Sequence, residues 1–483
     1  MIQDAILTCK KRGVDEKAIR LWYKLNEKNK IRVKTGVGKS EFAEVGAVLG
    51  QGTLGGALIS QAVLDDGIME HFYPGEEGQP IYGTVPLAPT LFQDDLANGA
   101  DGILQARLSS AKINLMIKQR GLRLNEDKSV CLIFGSKNQK QIASSILNLN
   151  PLKCGQTKIS EVTVSKYLGQ YLSSAGLSDC VEQTVLAREG KIRGACLEVA
   201  QIVNDWRSEV AGGMETALLL WEACCVPSLL HGAGTWVEIT PAVEKRLNNL
   251  QQHFLRLIYQ VGPGAPIASL GWDTATLDMG LRIWREKVML IIHIRSLEEE
   301  TLAQRVYTNQ RSLGWPGLAA ESERICQDLG IESCNTTSLP KGEYRKVVTK
   351  ACDRKNEEKL RSLSDGKTKC ERMNNETYGK KDYISQEKIE DVRKWYKTRF
   401  GLQKFAGNYS KDRRFAKTKW LCRCGEKEKE SHLKSENCPI YSDIREKYGD
   451  FSQDIDLVNY FTEVLHRRDL LDDLEAEERN LEL

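Results

Sequence analysis

The sequence predicts an α+β protein in which a mixed region is followed by a long helical one. Within the first 175 of the 483 residues, short apolar stretches typical of strands alternate with helices and are interrupted by glycines. From residue 176 to about 300, apolar residues recur three and four positions apart, which is typical of consecutive helices. A chain of this length exceeds what one hydrophobic core usually holds, so we expect roughly two to four domains.

The composition favours a folded protein inside the cell. Hydrophobic residues make up 41% of the chain and charged residues 28%, which is ordinary for a globular protein. No apolar run approaches the ~18 residues that a membrane span needs, and Lys10, Lys11 and Arg12 lie where a secretory signal would be apolar. The 14 cysteines are scattered, mostly singly, as is typical of reduced thiols. We therefore expect a nuclear or cytoplasmic protein with no membrane partner.

Charge is distributed unevenly along the chain. The net charge of +3 divides into −1 for residues 1–340, +12 for residues 341–420 and −8 for residues 421–483. A basic stretch between a neutral body and an acidic tail predicts a surface that binds a polyanion, although helices of mixed charge give the same count.

Four short signals follow one another between residues 43 and 169. The first is Gln51-Gly52, which lies in a glycine-rich turn before a helix. The second is Phe92-Gln93-Asp94-Asp95, where two adjacent carboxylates are expected at the tip of a hairpin. The third is Gly121-Leu122-Arg123-Leu124-Asn125 with Lys128, and the fourth is Tyr167-Leu168-Gly169 in a second hairpin. An Asp-Asp pair alone is common in turns, where it bonds to the local backbone; the order of all four signals is what favours a functional role.

In this order the four signals resemble the reverse transcriptase domain of non-LTR (LINE-type) retrotransposons. The resemblance covers residues 1–175 well and extends more loosely through the helices that follow. It implies a partial polymerase palm, made of an antiparallel sheet with helices, followed by an all-α thumb and a helical C-terminal region with a small zinc knuckle. The predicted domains are the palm at 1–175, the thumb at 176–300, a basic helical arm at 301–420, the zinc knuckle at 421–445 and an acidic helical tail at 446–483.

The resemblance also implies a role for each matched residue. The enzyme would be an RNA-directed DNA polymerase that uses an RNA template, a DNA primer or target, deoxynucleoside triphosphates and two Mg²⁺ ions held by carboxylate oxygens. The implied site residues are Asp94 and Asp95 as catalytic magnesium ligands, Gln51 and Gly52 against the template base and incoming nucleotide, Asn125 and Lys128 near the nucleotide phosphates, and Tyr167, Leu168 and Gly169 at the primer end.

The sequence also departs from the family pattern. Gln93 replaces the usual alanine, and Leu54-Gly55-Gly56 stands where Leu-Ser-Pro is frequent. A further metal-binding aspartate in a Phe-Asp context and the fingers have no match upstream; Asp4 fits the N-terminus of a helix better. We therefore expect an N-terminally truncated polymerase whose activity is impaired because a metal-binding carboxylate is missing. The alternative is a non-catalytic remnant that binds nucleic acid.

A second chemical pattern lies near the C-terminus. Cys422, Cys424, His432 and Cys438 form a C-x-C-x7-H-x5-C pattern, and Gly425 permits a tight turn after the first pair. Three thiolates and one imidazole are a standard ligand set for structural Zn²⁺, although the C-x-C spacing is tighter than usual. The resemblance favours zinc further, because many non-LTR reverse transcriptases carry such a knuckle. The alternative is a coincidence of scattered cysteines.

The segment between residues 394 and 420 interleaves basic and aromatic side chains. Basic groups can contact phosphates while rings stack on bases, so the segment is a candidate nucleic-acid surface. An equally weighted alternative is a pair of helices whose aromatic side chains form a core and whose lysines are solvated. The candidate nucleic-acid contacts are Lys394, Lys397, Arg399, Arg413, Arg414, Lys417 and Lys419.

Overall fold

The computed structural model describes residues 2–26, 29–31, 34–35, 38–41, 43–45, 56–72, 80–87, 89–92, 95–207, 210–403, 405, 421–434, 438–449 and 454–481. The chain is mostly helical (63%) and has a few small sheets, which confirms the predicted α+β class. Within these residues, no helix combines the length and the apolar character needed to span a membrane.

Nineteen α-helices lie in the described residues. In chain order they are α1 (Ile2–Lys11), α2 (Glu16–Asn26), α3 (Gly56–His71), α4 (Ile103–Gln119), α5 (Lys137–Leu149), α6 (Leu177–Arg207), α7 (Gly213–Leu220), α8 (Val226–Leu229), α9 (Pro241–Tyr259), α10 (Ile267–Thr274), α11 (Met279–Arg295), α12 (Leu302–Ser312), α13 (Leu318–Leu329), α14 (Lys341–Ser364), α15 (Tyr383–Gln386), α16 (Ile389–Arg399), α17 (Glu430–Lys434), α18 (Ser442–Tyr448) and α19 (Asp454–Leu481). A π-helix at Trp221–Cys225 joins α7 to α8, and 3₁₀ helices occupy Ala233–Thr235, Thr368–Asn375 and Pro439–Tyr441.

The described strands are two to four residues long and pair only two at a time. They are β1 (Asn29–Ile31), β2 (Lys34–Thr35), β3 (Gly38–Lys39), β4 (Ala43–Val45), β5 (Ile81–Tyr82), β6 (Val85–Pro86), β7 (Thr90–Phe92), β8 (Asp95–Ala97), β9 (Val130–Cys131), β10 (Lys153–Cys154), β11 (Thr157–Lys158), β12 (Ser160–Glu161), β13 (Val164–Tyr167) and β14 (Gln170–Ser173). The pairs are antiparallel except for β9 with β12, which is parallel.

The chain divides into two compact units. Unit 1 comprises residues 1–184 and 291–321, and unit 2 comprises residues 185–290 and 322–483. The five-part division expected from the sequence stays a prediction.

Unit 1 has a small apolar core beneath its hairpins. Ile68 and Phe72 at the end of α3, Ile113 and Met116 of α4, and Cys154 of β10 are buried together. Five partly buried side chains pack against this core: Leu91 of β7, Leu96 of β8, Ile117 of α4, Leu124 and Ile159. The N-terminal helix is fixed to the same region, because Arg12 lies 3.0 Å from Asp66 of α3.

Unit 2 has a larger helical core centred on α9. Thr240 caps this helix, since its hydroxyl accepts a hydrogen bond from the backbone N–H of Val243 at 3.3 Å, and Pro241 begins the first turn. Apolar residues at helical spacing then place one face of α9 in the interior. Phe254 stacks on Trp221 with ring centroids 4.7 Å apart, and Tyr259 stacks on Tyr396 at 4.0 Å. These pairs join α9 to the π-helix and to α16.

A buried ion pair also holds α16 in unit 2. The guanidinium of Arg399 contacts Asp273 at 3.1 Å and Glu376 at 2.5 Å, and the Tyr383 hydroxyl donates a hydrogen bond to Asp273. The Asp273 side chain is 0% exposed and that of Arg399 is 7% exposed. Burial raises the pKa of Asp273, and the facing Arg399 guanidinium opposes that shift. The pair therefore depends on mutual neutralisation inside the core.

Replacing Arg399 by Met should destabilise the protein by about 3–5 kcal/mol, because a buried carboxylate loses its partner. The matched variant Lys394→Met removes a cation from the same helix, where Lys394 contacts Asp391 at 3.1 Å on the surface. The free energy of unfolding of this variant should fall by no more than about 1 kcal/mol. Urea unfolding followed by tryptophan fluorescence measures both. Similar, small losses for the two variants would contradict the structural role of Arg399.

Candidate functional site

The structure brings the four predicted C-terminal ligands together. Cys422, Cys424, His432 and Cys438 place their ligand atoms within 4.8 Å of one another. Cys422 and Cys438 are buried, whereas Cys424 and His432 are partly buried. The prediction of a Cys3His cluster that can hold a metal ion is therefore confirmed at the level of geometry.

Local backbone structure explains how the cluster forms. The backbone N–H of Cys422 donates to the carbonyl of Glu426 at 2.7 Å, and that of Gly425 donates to the carbonyl of Cys422 at 2.8 Å. Gly425 has a φ of 94°, a conformation that favours glycine and folds the chain back after Cys424. His432 then comes from α17, and Cys438 immediately precedes a 3₁₀ helix. The turn thus contributes Cys422 and Cys424, α17 contributes His432, and the start of the 3₁₀ helix contributes Cys438.

The spacing of the ligand atoms fits a tetrahedral ion. The sulfur atoms of Cys422 and Cys438 lie 3.7 Å apart, close to the roughly 3.8 Å expected for two thiolates on one zinc ion. The Cys424 sulfur lies 3.1 Å from Nε2 of His432, slightly closer than the roughly 3.5 Å of a thiolate and an imidazole on zinc. Small side-chain rotations would open this second pair, so the residues present fit the ion.

The electrostatics of the cluster favour a bound cation. Burial, together with the neighbouring thiols of Cys424 and Cys438, raises the pKa of the Cys422 thiol to about 12. The thiol is therefore protonated at neutral pH in the absence of a positive charge. A bound metal ion reverses this preference, since it stabilises the thiolate and releases the proton.

Arg445 supports the cluster from outside and was not predicted from the sequence. Its guanidinium donates a hydrogen bond to the carbonyl of Cys438 and another, at 3.3 Å, to the carbonyl of Leu433. The hydroxyl of Tyr460 donates to that same Leu433 carbonyl. These bonds fix the backbone beside two of the ligands, His432 and Cys438. No motif marks Arg445, because its role depends on where α18 packs rather than on local spacing.

The ligands also share a hydrophobic core with the last helix. Buried residues around them come from both sides of the cluster, and they include Phe405, Leu433, Tyr441, Ile444, Leu457, Tyr460, Phe461 and Val464. Because a knuckle this small has little interior of its own, the contact with α19 supplies apolar burial that the ligand loop cannot provide.

The hairpin predicted to carry two carboxylates is present in unit 1. Strands β7 and β8 are antiparallel, with Phe92 paired to Asp95, so two residues form the loop between them. Those two, Gln93 and Asp94, lie outside the described residues, as do Gln51 and Gly52. Asp95 is exposed at the start of β8, whereas Leu91 and Leu96 pack on the unit 1 core. Asp95 is therefore at the solvent side of an anchored hairpin.

Asn125 and Lys128 lie in one exposed turn. The side-chain oxygen of Asn125 accepts a hydrogen bond from the backbone N–H of Lys128 at 3.2 Å. The asparagine thus shapes the turn, while the Lys128 side chain is solvent-exposed. Leu124, which precedes this turn, packs on the same core as Leu91 and Leu96.

Tyr167, Leu168 and Gly169 form the predicted second hairpin. Tyr167 pairs with Gln170, which leaves Leu168 and Gly169 as a two-residue loop with φ values of 48° and 78°. Two consecutive positive φ values define a tight type I′ turn. Gly169 adopts this conformation without strain, but it is unfavourable for leucine. The Leu168 side chain is 37% exposed.

The basic and aromatic segment is only partly described, and its described part is mostly structural. Tyr396, Phe400 and Phe405 are buried, and Arg399 is committed to Asp273 and Glu376. Arg399 is therefore not available to a nucleic-acid phosphate, which corrects the sequence-based expectation for that residue. Lys394 and Lys397 are half-buried on α16. The remaining candidates, Arg413, Arg414, Lys417 and Lys419, lie outside the described residues.

Comparison of the chain with protein-family models and with curated proteins gave no match.

Replacing Cys438 by Ser should lower the bound zinc well below one ion per chain, because a tetrahedral site loses one of its four ligands. Metal analysis of the purified protein measures the stoichiometry. Cys224→Ser is the matched control, since Cys224 is exposed and lies outside the cluster. Equal zinc content in the two variants would exclude the site.

Replacing Arg445 by Met should weaken zinc binding by about 10- to 100-fold, because the ligand loop loses two hydrogen bonds that orient it. Competition with a chromogenic chelator gives the affinity. Lys447→Met, on the same helix, removes an exposed cation that contacts Glu463 instead, and it should leave the affinity unchanged. An unaltered affinity in the Arg445 variant would show that the loop does not need this support.

Proposed function

We propose that the protein is a reverse transcriptase of the non-LTR retrotransposon type, an RNA-directed DNA polymerase. One observation carries the proposal beyond the sequence motifs themselves. The hairpin with Asp95 and the turn with Asn125 both place apolar side chains in the unit 1 core. Two of the four signals are thus supported by one packed cluster, which favours a common site.

In the proposed reaction, the hairpin presents carboxylate oxygens and the surrounding turns contact the substrates. When bound, Mg²⁺ ions would lower the pKa of the primer hydroxyl and stabilise the charge on the leaving pyrophosphate. Asp94 and Asp95 would hold the ions, because carboxylate oxygens are suitable hard ligands. Lys128, exposed in its turn, would offset phosphate charge, and the turn at Leu168 and Gly169 would position the primer end.

We further propose that the Cys3His cluster holds one structural Zn²⁺ ion. Three sulfur ligands and one imidazole favour zinc over the hard cations that carboxylates bind. Since all four coordination positions are protein ligands, this ion would stabilise the fold and leave no open position for catalysis. The knuckle and the basic residues before it would bind the nucleic-acid substrate.

Primer extension on an RNA template tests the polymerase proposal. Any extension by the unmodified protein should fall by about 100-fold or more in Asp94→Ala and in Asp95→Ala, because each change removes a proposed metal ligand. Asp101→Ala is the matched control, since Asp101 is an exposed acid outside the hairpin. Extension that survives in both hairpin variants would contradict the assignment.

Nucleic-acid binding with no extension under any condition would instead favour the second candidate, a non-catalytic nucleic-acid-binding protein. The net charge of +12 over residues 341–420 supports this candidate.

Salt dependence tests the nucleic-acid contacts themselves. Binding of a single-stranded RNA should weaken as salt rises, and Arg413→Gln with Arg414→Gln should reduce the slope of log K against log salt by about 1.4, or 0.7 for each lost contact. Fluorescence anisotropy gives the affinities. Arg324→Gln is the control, because this exposed residue contacts Asp328 on its own helix. An unchanged slope in the double variant would exclude these two contacts.

A further inference from the structure

An aromatic side chain is held at the surface of unit 1, where the hairpin of β5 and β6 meets the end of α12. The rings of Trp315 and Tyr82 are in contact, with their centroids 5.1 Å apart and their planes at 85°. Leu313 packs closely against the same hairpin, since a Cβ atom on Gly83 would lie only 2.7 Å from its Cδ1 atom. We call Tyr82, Leu313 and Trp315 the aromatic corner. None of the functions discussed above uses it.

The geometry of the ring pair leaves one face of the Trp315 indole open. In a perpendicular contact the edge of one ring meets a face of the other, so Tyr82 covers at most one of the two indole faces. Trp315 is 41% exposed and Leu313 is 45% exposed, so the rest of unit 1 does not enclose them. An open indole face is a surface on which another flat ring can stack.

Hydrogen bonds from the last turn of α12 fix the aromatic corner. The side-chain amide of Gln310 donates to the Tyr82 hydroxyl at 3.0 Å and to the carbonyl of Pro316 at 3.4 Å. Its side-chain oxygen accepts from the backbone N–H of Ala319 at 3.2 Å, and its backbone carbonyl accepts from that of Trp315 at 3.1 Å. One glutamine thus holds both the tyrosine and the loop that carries the tryptophan. The ring is therefore preorganised, and little ordering is needed when a ligand binds.

The charges of the segments that build the aromatic corner favour a polyanion. Residues 80–91 and 302–319 contain Arg305 and Arg311 and no acidic residue. Both arginines are exposed on α12. Arg305 lies one turn before Asn309, whose side chain donates to the β5–β6 hairpin at 2.6 Å, so it is on the helix face that meets the hairpin. Cationic groups beside an exposed ring are typical of proteins that bind single-stranded nucleic acid.

The aromatic corner is also close to the hairpin that is proposed to hold magnesium. Strand β6 ends at Pro86 and β7 begins at Thr90, so their Cα atoms are at most about 14 Å apart. A nucleic-acid strand bound at the β7–β8 hairpin therefore needs only a short extension to contact the hairpin of the corner. This proximity, together with the two arginines, favours a nucleic-acid strand over a protein as the partner.

We propose that the aromatic corner binds single-stranded nucleic acid, with one base stacked on the open face of Trp315 and with Arg305 and Arg311 at neighbouring phosphates. The inference rests on the proposed nucleic-acid function and adds a base-stacking position in unit 1 to it. Stacking on an aromatic side chain tolerates any sequence, because every base has a flat aromatic face. The corner therefore holds a strand without selecting its sequence.

Two strands of equal length and charge test the stacking by fluorescence anisotropy. One is oligoadenylate, and the other carries abasic residues throughout. Trp315→Leu should weaken the binding of oligoadenylate by about 5- to 100-fold, because the base loses its stacking partner. The same variant should bind the abasic strand as the unmodified protein does, which also shows that its fold is intact. Trp315→Phe should retain most of the affinity for oligoadenylate, since a phenyl ring still stacks.

Further variants and strands locate the contact. Leu149→Ala is the matched control, because it removes a large apolar side chain that is 89% exposed on α5, outside the aromatic corner; it should leave both affinities unchanged. Arg305→Gln with Arg311→Gln should reduce the slope of log K against log salt by about 1.4 for both strands, or 0.7 for each lost contact. Ribose and deoxyribose versions of oligoadenylate should lose the same factor in Trp315→Leu, since stacking uses the base alone.

The outcomes separate the aromatic corner from the proposed function. Trp315→Leu that binds oligoadenylate as tightly as the unmodified protein, or that weakens the abasic strand by the same factor, would overturn the stacking and leave nucleic-acid binding in place. A Trp315→Phe variant as weak as Trp315→Leu, or a loss confined to one of the two sugars, would also overturn it. Failure of the unmodified protein to bind either strand at low salt would contradict the proposed function itself.

Discussion

The buried pair of Arg399 with Asp273 is the interaction on which the arrangement of unit 2 depends. It connects the end of α16 to α10, and Glu376 brings the intervening 3₁₀ segment to the same guanidinium. An unneutralised charge at this depth would be strongly unfavourable, so these segments are stable only when they are placed together. The ion pair therefore fixes α16, and with it Tyr396, whose ring stacks on Tyr259 of α9.

The metal cluster differs from this ion pair, because its ligands are close in sequence. Cys422, Cys424, His432 and Cys438 span few residues, and short local elements, beginning with the tight turn at Gly425, place them in one cluster. Such a site can be predicted from spacing and residue type alone. The residues that support the site cannot be predicted in this way, because Arg445 and Tyr460 reach the ligand loop only through the packing of α18 and α19 beside it. Binding of a metal and packing of the last helix should therefore stabilise each other.

The same distinction explains what the sequence could and could not predict elsewhere. Hairpins, helix periodicity and the hairpin turn at Gly169 depend on neighbouring residues, and the α+β class follows from them. The burial of Arg399 was not predictable, since Asp273 lies more than a hundred residues away and a basic residue among aromatics also suits a nucleic-acid surface.

Leu168 shows how local strain can bear on a proposed role. Its φ of 48° is unfavourable for a bulky side chain, and asparagine or glycine would adopt the same turn more easily. The pairing of β13 with β14 forces the conformation, since Tyr167 and Gln170 leave only two residues for the loop. The pairing of β13 with β14 must therefore offset the cost of a leucine at this position. The role proposed for this turn at a primer end would use the rigidity that the pairing provides.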